Sequence, residues 1–125
     1  MKAYVSEPTK ETPLVCLDPD NQRFEVSGRS FPLNAKAFYA PVLEWLDGYA
    51  ARPVSKTVFR FQLEYFNTPS SKSLSDIMKR LRVMKDNGHD VVIEWYYEED
   101  DVDILDLGHV FSRTVGMAFD FKEID

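Results

Sequence analysis

The stretch EYFNTPSSK, Glu64 to Lys72, gathers most of the residues in this chain whose types and spacing could do chemistry. An alternating apolar run stops there at Asn67-Thr68-Pro69, and Ser70, Ser71 and Lys72 follow at once. Pro69 disfavours the α region for the residue before it and suits the first position of a helix, so the spacing predicts Thr68 as an extended N-cap. Its hydroxyl oxygen would accept from the Ser71 amide, a contact worth about 1 kcal/mol. The same place suits a phosphate ester. A phosphorylated Thr68 would face free amides and the positive end of the helix dipole, would add roughly −1.5 to −2 charges, and would meet Lys72 four residues on. Thr68 is therefore either a helix cap within a constitutive structural or scaffold module, or the acceptor of a switch that governs a docking partner.

Signatures of catalysis are missing elsewhere. With five glycines, the chain carries no Gly-rich phosphate loop, no G-x-G-x-x-G and no G-x-S-x-G. His89 and His109 stand apart, in a turn and in a helix, without partners at metal-ligand spacing. The run Glu98, Glu99, Asp100, Asp101, Asp103 and Asp106 lacks the glycine and ligand periodicity of a calcium loop and suits a solvated helix start. Trp45, Trp95, Tyr96 and Tyr97 lack the interleaved Lys or Arg of a base-stacking surface. The expectation is a protein that is not an enzyme, with no catalytic residue, no metal and no cofactor.

Composition sets the frame. A chain of 125 residues fits one domain, 1–125, able to bury a core without disulfides. Its net charge of −6 argues against nucleic acid and anionic membrane surfaces as partners. Cys16 is the single cysteine and lies in the apolar run PLVCL, where it reads as a small buried hydrophobe. The N-terminus lacks an apolar signal segment and no run of about 18 apolar residues occurs, so a cytoplasmic location is expected.

The elements that would position Thr68 follow from periodicity. The first dozen residues read as a loosely ordered arm; Leu14–Asp18 and Arg23–Gly28 read as a hairpin around PDNQ. Asn34 can cap a helix with Phe38, Val42, Trp45, Leu46 and Tyr49 at helical spacing and Pro41 inside it, where a bend is expected. From Thr57 to Phe66 the period becomes two, with Phe59, Phe61, Leu63 and Tyr65 on one face and Arg60, Gln62 and Glu64 on the other. Leu74, Ile77, Met78, Leu81 and Met84 form the stripe of a second helix, ended near Gly88. Val91–Tyr97 is a strand, the acidic run opens a third helix with Ile104, Leu105, Leu107 and Phe111, and MAFDFKEI closes the chain as a strand. This order predicts an α/β fold with a mixed sheet, an N-terminal hairpin and three main helices.

Together FRFQLEYFNT, PSSK with SLSDIMKRL, FYAPVLEWLDGYA, VVIEWYYEEDD and MAFDF resemble the SiaC family of regulatory phosphoproteins, over nearly the whole chain. The resemblance implies a fold similar to the STAS domain of anti-sigma-factor antagonists and a phospho-acceptor at Thr68. Asn67, Pro69, Ser70, Ser71 and Lys72 would then form the acceptor loop and part of the partner-binding surface. It further implies a dedicated protein kinase and a PP2C-type phosphatase acting on Thr68, and a diguanylate cyclase as partner, in signal transduction through cyclic-di-GMP and biofilm formation. Two departures stand out: Pro69 occupies the place where the family commonly carries a small hydroxyl residue, and TPSSK lacks the glycine frequent in STAS acceptor loops.

Overall fold

A computed structural model describes residues 1–124. The chain runs β1 (Tyr4–Ser6), β2 (Leu14–Asp18), β3 (Arg23–Ser30), α1 (Ala35–Tyr49), β4 (Lys56–Phe66), α2 (Thr68–Asp86), β5 (Asp90–Glu98), α3 (Val102–Val115) and β6 (Asp120–Ile124). The strands form one six-stranded sheet whose spatial order is the chain order. β1, β2 and β3 pair antiparallel, and β3 to β6 pair parallel through the three helical crossovers. Right-handed crossovers between successive neighbours place all three helices on one face. The alternation in β4 records the result: Thr57, Phe59, Phe61 and Leu63 are buried, while Arg60, Gln62 and Glu64 are exposed.

The mixed α/β architecture is the one expected, with corrections in detail. The N-terminal arm is not loose, because Tyr4–Ser6 pairs with Leu17–Val15 and becomes the edge strand β1. Tyr65 does not join the buried face of β4. Between Gly28 and Arg29 the β3–β4 register shifts, Gly28 facing Leu63 and Arg29 facing Tyr65, so Glu64 is the extra residue of a bulge. Gly28 sits there at φ +103°, a conformation that favours glycine. The extra residue exchanges the faces of everything after it. Phe66 turns inward onto Trp95 and Phe111, with ring centroids 6.4 and 5.7 Å away, and Tyr65 turns outward, 46% exposed.

The helix stripes behave as the spacing predicts, with local shifts. Asn34 caps α1 by accepting from the Ala37 amide at 3.0 Å. The buried line of α1 is Ala35, Tyr39, Val42, Leu46 and Tyr49, so Tyr39 rather than Phe38 leads it. Pro41 lies within α1 on its exposed side. All five stripe residues of α2 are buried. In α3, Leu107 is outside the core and Gly108 takes the buried position against Trp95. Cys16 is buried, and burial pushes its thiol up, away from the reactive thiolate.

Candidate functional site

The start of α2 is built around Asn67, not Thr68. Asn67 has extended backbone angles, φ −86° and ψ 174°, and its side-chain oxygen accepts from the Ser70 amide at 3.0 Å. Its carbonyl accepts the first helical bond, from the Ser71 amide at 2.9 Å, and its own N–H donates to the Ser30 carbonyl at 3.0 Å. The predicted Thr68 cap is thereby overturned. An asparagine caps at least as well as a threonine, and here the end of β3 braces it from behind. Thr68 is the first residue of the helix and Pro69 the second. Among the described residues, no hydrogen bond engages the Thr68 hydroxyl, and the residue is exposed.

A stability comparison checks this assignment. Asn67→Ala is expected to cost about 1 kcal/mol, and Thr68→Ala less than about 0.5 kcal/mol, in urea unfolding. Equal losses would return the capping role to Thr68.

Beneath the surface lies a chain of hydroxyls. The Ser30 hydroxyl donates to Ser70 Oγ at 2.8 Å and lies 2.7 Å from the Tyr39 hydroxyl, which then serves as its donor. All three residues are fully buried. This chain pins the first turn of α2 to the end of β3 and to α1, which makes Thr68 an exposed residue on a fixed base. Ser70 is thus separated from the other candidate residues: its hydroxyl faces the interior, whereas Thr68, Pro69 and Lys72 face solvent and Ser71 is half-buried.

Burial pushes the Tyr39 phenol up to about 12, against the Ser30 hydrogen bond that pulls it down. The unfolded chain releases this proton from its ordinary value of 10.0 upward, while the folded protein still holds it. Stability is fully present below that value and is lost as pH rises through the window to about 12. Tyr39→Phe is expected to cost about 1 kcal/mol at neutral pH and to flatten the alkaline loss, read from urea midpoints on both sides of the window.

A patch that the sequence reading passed over adjoins Asn67. The Arg29 guanidinium lies 5.6 Å from the ring centroids of both Phe31 and Tyr65, and these rings meet edge to face at 5.9 Å. With Leu33 and Asn67 they line one shallow depression. Leu33 precedes the Asn34 cap, where an apolar residue commonly staples onto the helix, yet it is fully exposed. That unspent staple is the one sequence signal for the patch; the rest depends on the bulge that turns Tyr65 outward.

Among the described residues, no group of His, Cys, Asp or Glu is placed to hold a metal ion, and no helix is long and apolar enough to cross a membrane. The acidic run is divided: Asp101 caps α3 by accepting from the Ile104 amide at 3.0 Å, and Glu98 ends β5. His109 stacks on Phe121 at 4.1 Å.

The fold is thus a six-stranded α/β sheet with an exposed Thr68 hydroxyl on a braced helix start, beside an aromatic patch. The chain belongs to the SiaC family of regulatory phosphoproteins, whose family model matches residues 6–124. An uncharacterised protein of Pseudomonas aeruginosa is 25% identical over 117 residues, covering 94% of this chain and 93% of that protein. SiaC of Pseudomonas aeruginosa has a similar structure, with a TM-score of 0.86 at 26% identity, covering 100% of this chain and 98% of that one. The fold is also that of SiaC in complex with the diguanylate cyclase SiaD, at a TM-score of 0.89 and 23% identity over 97% of this chain and 99% of that one. In that complex SiaC is the activator of the cyclase.

Proposed function

We propose that this chain is a partner-switching regulator in which phosphorylation of Thr68 controls binding to a diguanylate cyclase, and so cyclic-di-GMP signalling and biofilm formation. The observation that carries the reading is the freedom of Thr68: it is exposed at the first position of α2, and Asn67 performs the capping. The alternative is a constitutive structural or scaffold module, for which Thr68 has no part in capping because Asn67 makes that contact. A dedicated protein kinase would add the phosphate and a PP2C-type phosphatase would remove it.

Each neighbour has a part in this mechanism. Asn67 sets the angle at which the helix leaves the sheet, and Pro69 stiffens the turn. Ser70 anchors the turn from within, and Ser71 borders it. Lys72 stands on the next turn as a counter-charge for the phosphate. The cyclase would dock across the Arg29, Phe31, Leu33 and Tyr65 patch, where a rigid aromatic surface and an exposed leucine offer contact area at low entropic cost. A dianion at Thr68 changes the charge of that rim and attracts Arg29 and Lys72 away from a partner. Co-expression with the cognate kinase, followed by mass spectrometry, tests the acceptor directly: phosphate found only on other residues overturns it.

A further inference from the structure

β4 and β5 run side by side only as far as Phe61 and Trp95, although β4 continues to Phe66 and β5 to Glu98. Beyond that pair the two strands part. β4 stays with β3, while β5 leaves with β6, pairing Tyr96 with Lys122 and Glu98 with Ile124. In open α/β sheets the crevice outside the carboxyl ends of the strands is where ligands sit. Here the gap opens a crevice of about 420 Å³, within the range of small-molecule sites. The strand ends Gln62–Glu64 and Tyr96–Glu98 form its two sides and Ile104 of α3 contributes to its wall. The main-chain groups that would have continued the β4–β5 ladder border this space with no strand to pair with.

The chemistry of the lining is one-sided in charge. Glu64 from β4 and Glu98 from β5 line the crevice together with Asp101 from the turn before α3, one of whose carboxylate oxygens caps that helix. Among the described residues no Lys or Arg lines it, and none pairs with any of these three carboxylates. Arg60 of β4 and Lys122 of β6 both pair with Glu94 instead. Two aromatic residues complete the lining. The Tyr96 hydroxyl donates to Glu94 Oε1 at 2.9 Å, which fixes that ring, and Tyr97 is half-buried against the core. Carboxylates beside aromatic rings and an apolar wall are what recognises a cation carried on an apolar body.

We infer that the crevice between the parted ends of β4 and β5 binds an organic cation, an ammonium or guanidinium group on a short apolar chain. The site is separate from Thr68 and does not depend on the phosphorylation reading. The cation is either a free amine or an arginine side chain offered by a partner protein, and the test distinguishes these sources. The isotope-labelled full chain is titrated with putrescine, with agmatine and with a capped Gly-Arg-Gly peptide, and followed by amide chemical shifts. Butanol serves as the uncharged control.

Saturable shifts centred on Gln62–Glu64 and Tyr96–Glu98 are expected with the cations and not with butanol. Saturation by the amines identifies a free cation, and saturation by the peptide alone identifies a partner's arginine. The double variant Glu64→Gln with Glu98→Gln is expected to weaken binding about tenfold, through loss of charge-assisted hydrogen bonds. Both residues are exposed, so the fold is retained, and an unchanged melting curve checks that. Glu99→Gln with Asp100→Asn, which removes the same charge outside the crevice, leaves binding unchanged. No saturable shift with any probe overturns the inference, as does equal weakening by the two double variants.

Discussion

Under the proposed switch, protein phosphorylated on Thr68 is expected to bind a diguanylate cyclase at least about tenfold more weakly than the unmodified protein, a difference of about 1.4 kcal/mol. The reasoning is electrostatic. A phosphate at the start of α2 is favourable for the folded domain, because the helix dipole and Lys72 compensate it in water. A docked partner removes that water, and the dianion then has to be desolvated. Calorimetry with the phosphorylated and unmodified forms measures the difference. Thr68→Ala is expected to bind like the unmodified protein, since its hydroxyl is free of structural duty, and Thr68→Asp to bind weakly. Equal affinity of the phosphorylated and unmodified forms would sink the switch and leave a constitutive interaction module.

Gly108→Ala is expected to destabilise the domain by roughly 2 kcal/mol and to lower Tm by roughly 5–10 °C. Alanine in a helix interior normally stabilises by about 1 kcal/mol relative to glycine, so the sign has to be decided by space. A Cβ on Gly108 would stand 2.5 Å from Trp95 Cδ1 and Nε1 and 2.8 Å from Cε2. Trp95 cannot yield. It is fully buried among Phe61, Phe66, Phe111 and Phe119, and its indole N–H donates to the Ile104 carbonyl at 2.9 Å. The substitution therefore pushes α3 off the sheet and stretches that hydrogen bond. Thermal melts followed by circular dichroism read the outcome, and a Tm at or above that of the parent would mean that α3 lifts without cost.

What the sequence made legible, and what it hid, divides along the range of the forces involved. Period-two alternation in Thr57–Phe66 and the α2 stripe from Leu74 to Met84 are consequences of burying one face, and neighbouring residues suffice to reveal them. β1 was invisible because three residues carry little pattern, and Tyr4–Ser6 becomes a strand only through pairing with residues Val15–Leu17. The bulge at Glu64 was hidden for the same reason: a register shift belongs to two strands, and the alternating letters continue through it unchanged. Misplacing Tyr65 followed directly, and with it the aromatic patch.

At the site, the stretch itself was legible and the division of labour within it was not. Asn67 and Thr68 both have side chains suited to capping, and in the sequence Pro69 favours Thr68. The deciding contact is the Asn67 N–H to the Ser30 carbonyl, which comes from a strand 37 residues earlier in the chain. Ser70 shows the same limit. Its hydroxyl reads as part of an exposed acceptor loop, yet two distant hydroxyls, Ser30 and Tyr39, draw it into the core.

The identity of strand order and chain order bears on how the domain comes into being. Each strand pairs only with its predecessor and successor, so every segment that must close is short and each closure adds to a sheet already in place. Synthesis from the N-terminus can therefore zip the sheet outward from the β1–β3 meander, one crossover at a time, without leaving a gap for a later strand to fill. The hydrogen bonds that brace the start of α2 reach back only to Ser30 at the end of β3 and Tyr39 in α1, so their partners are all made before the last two strands.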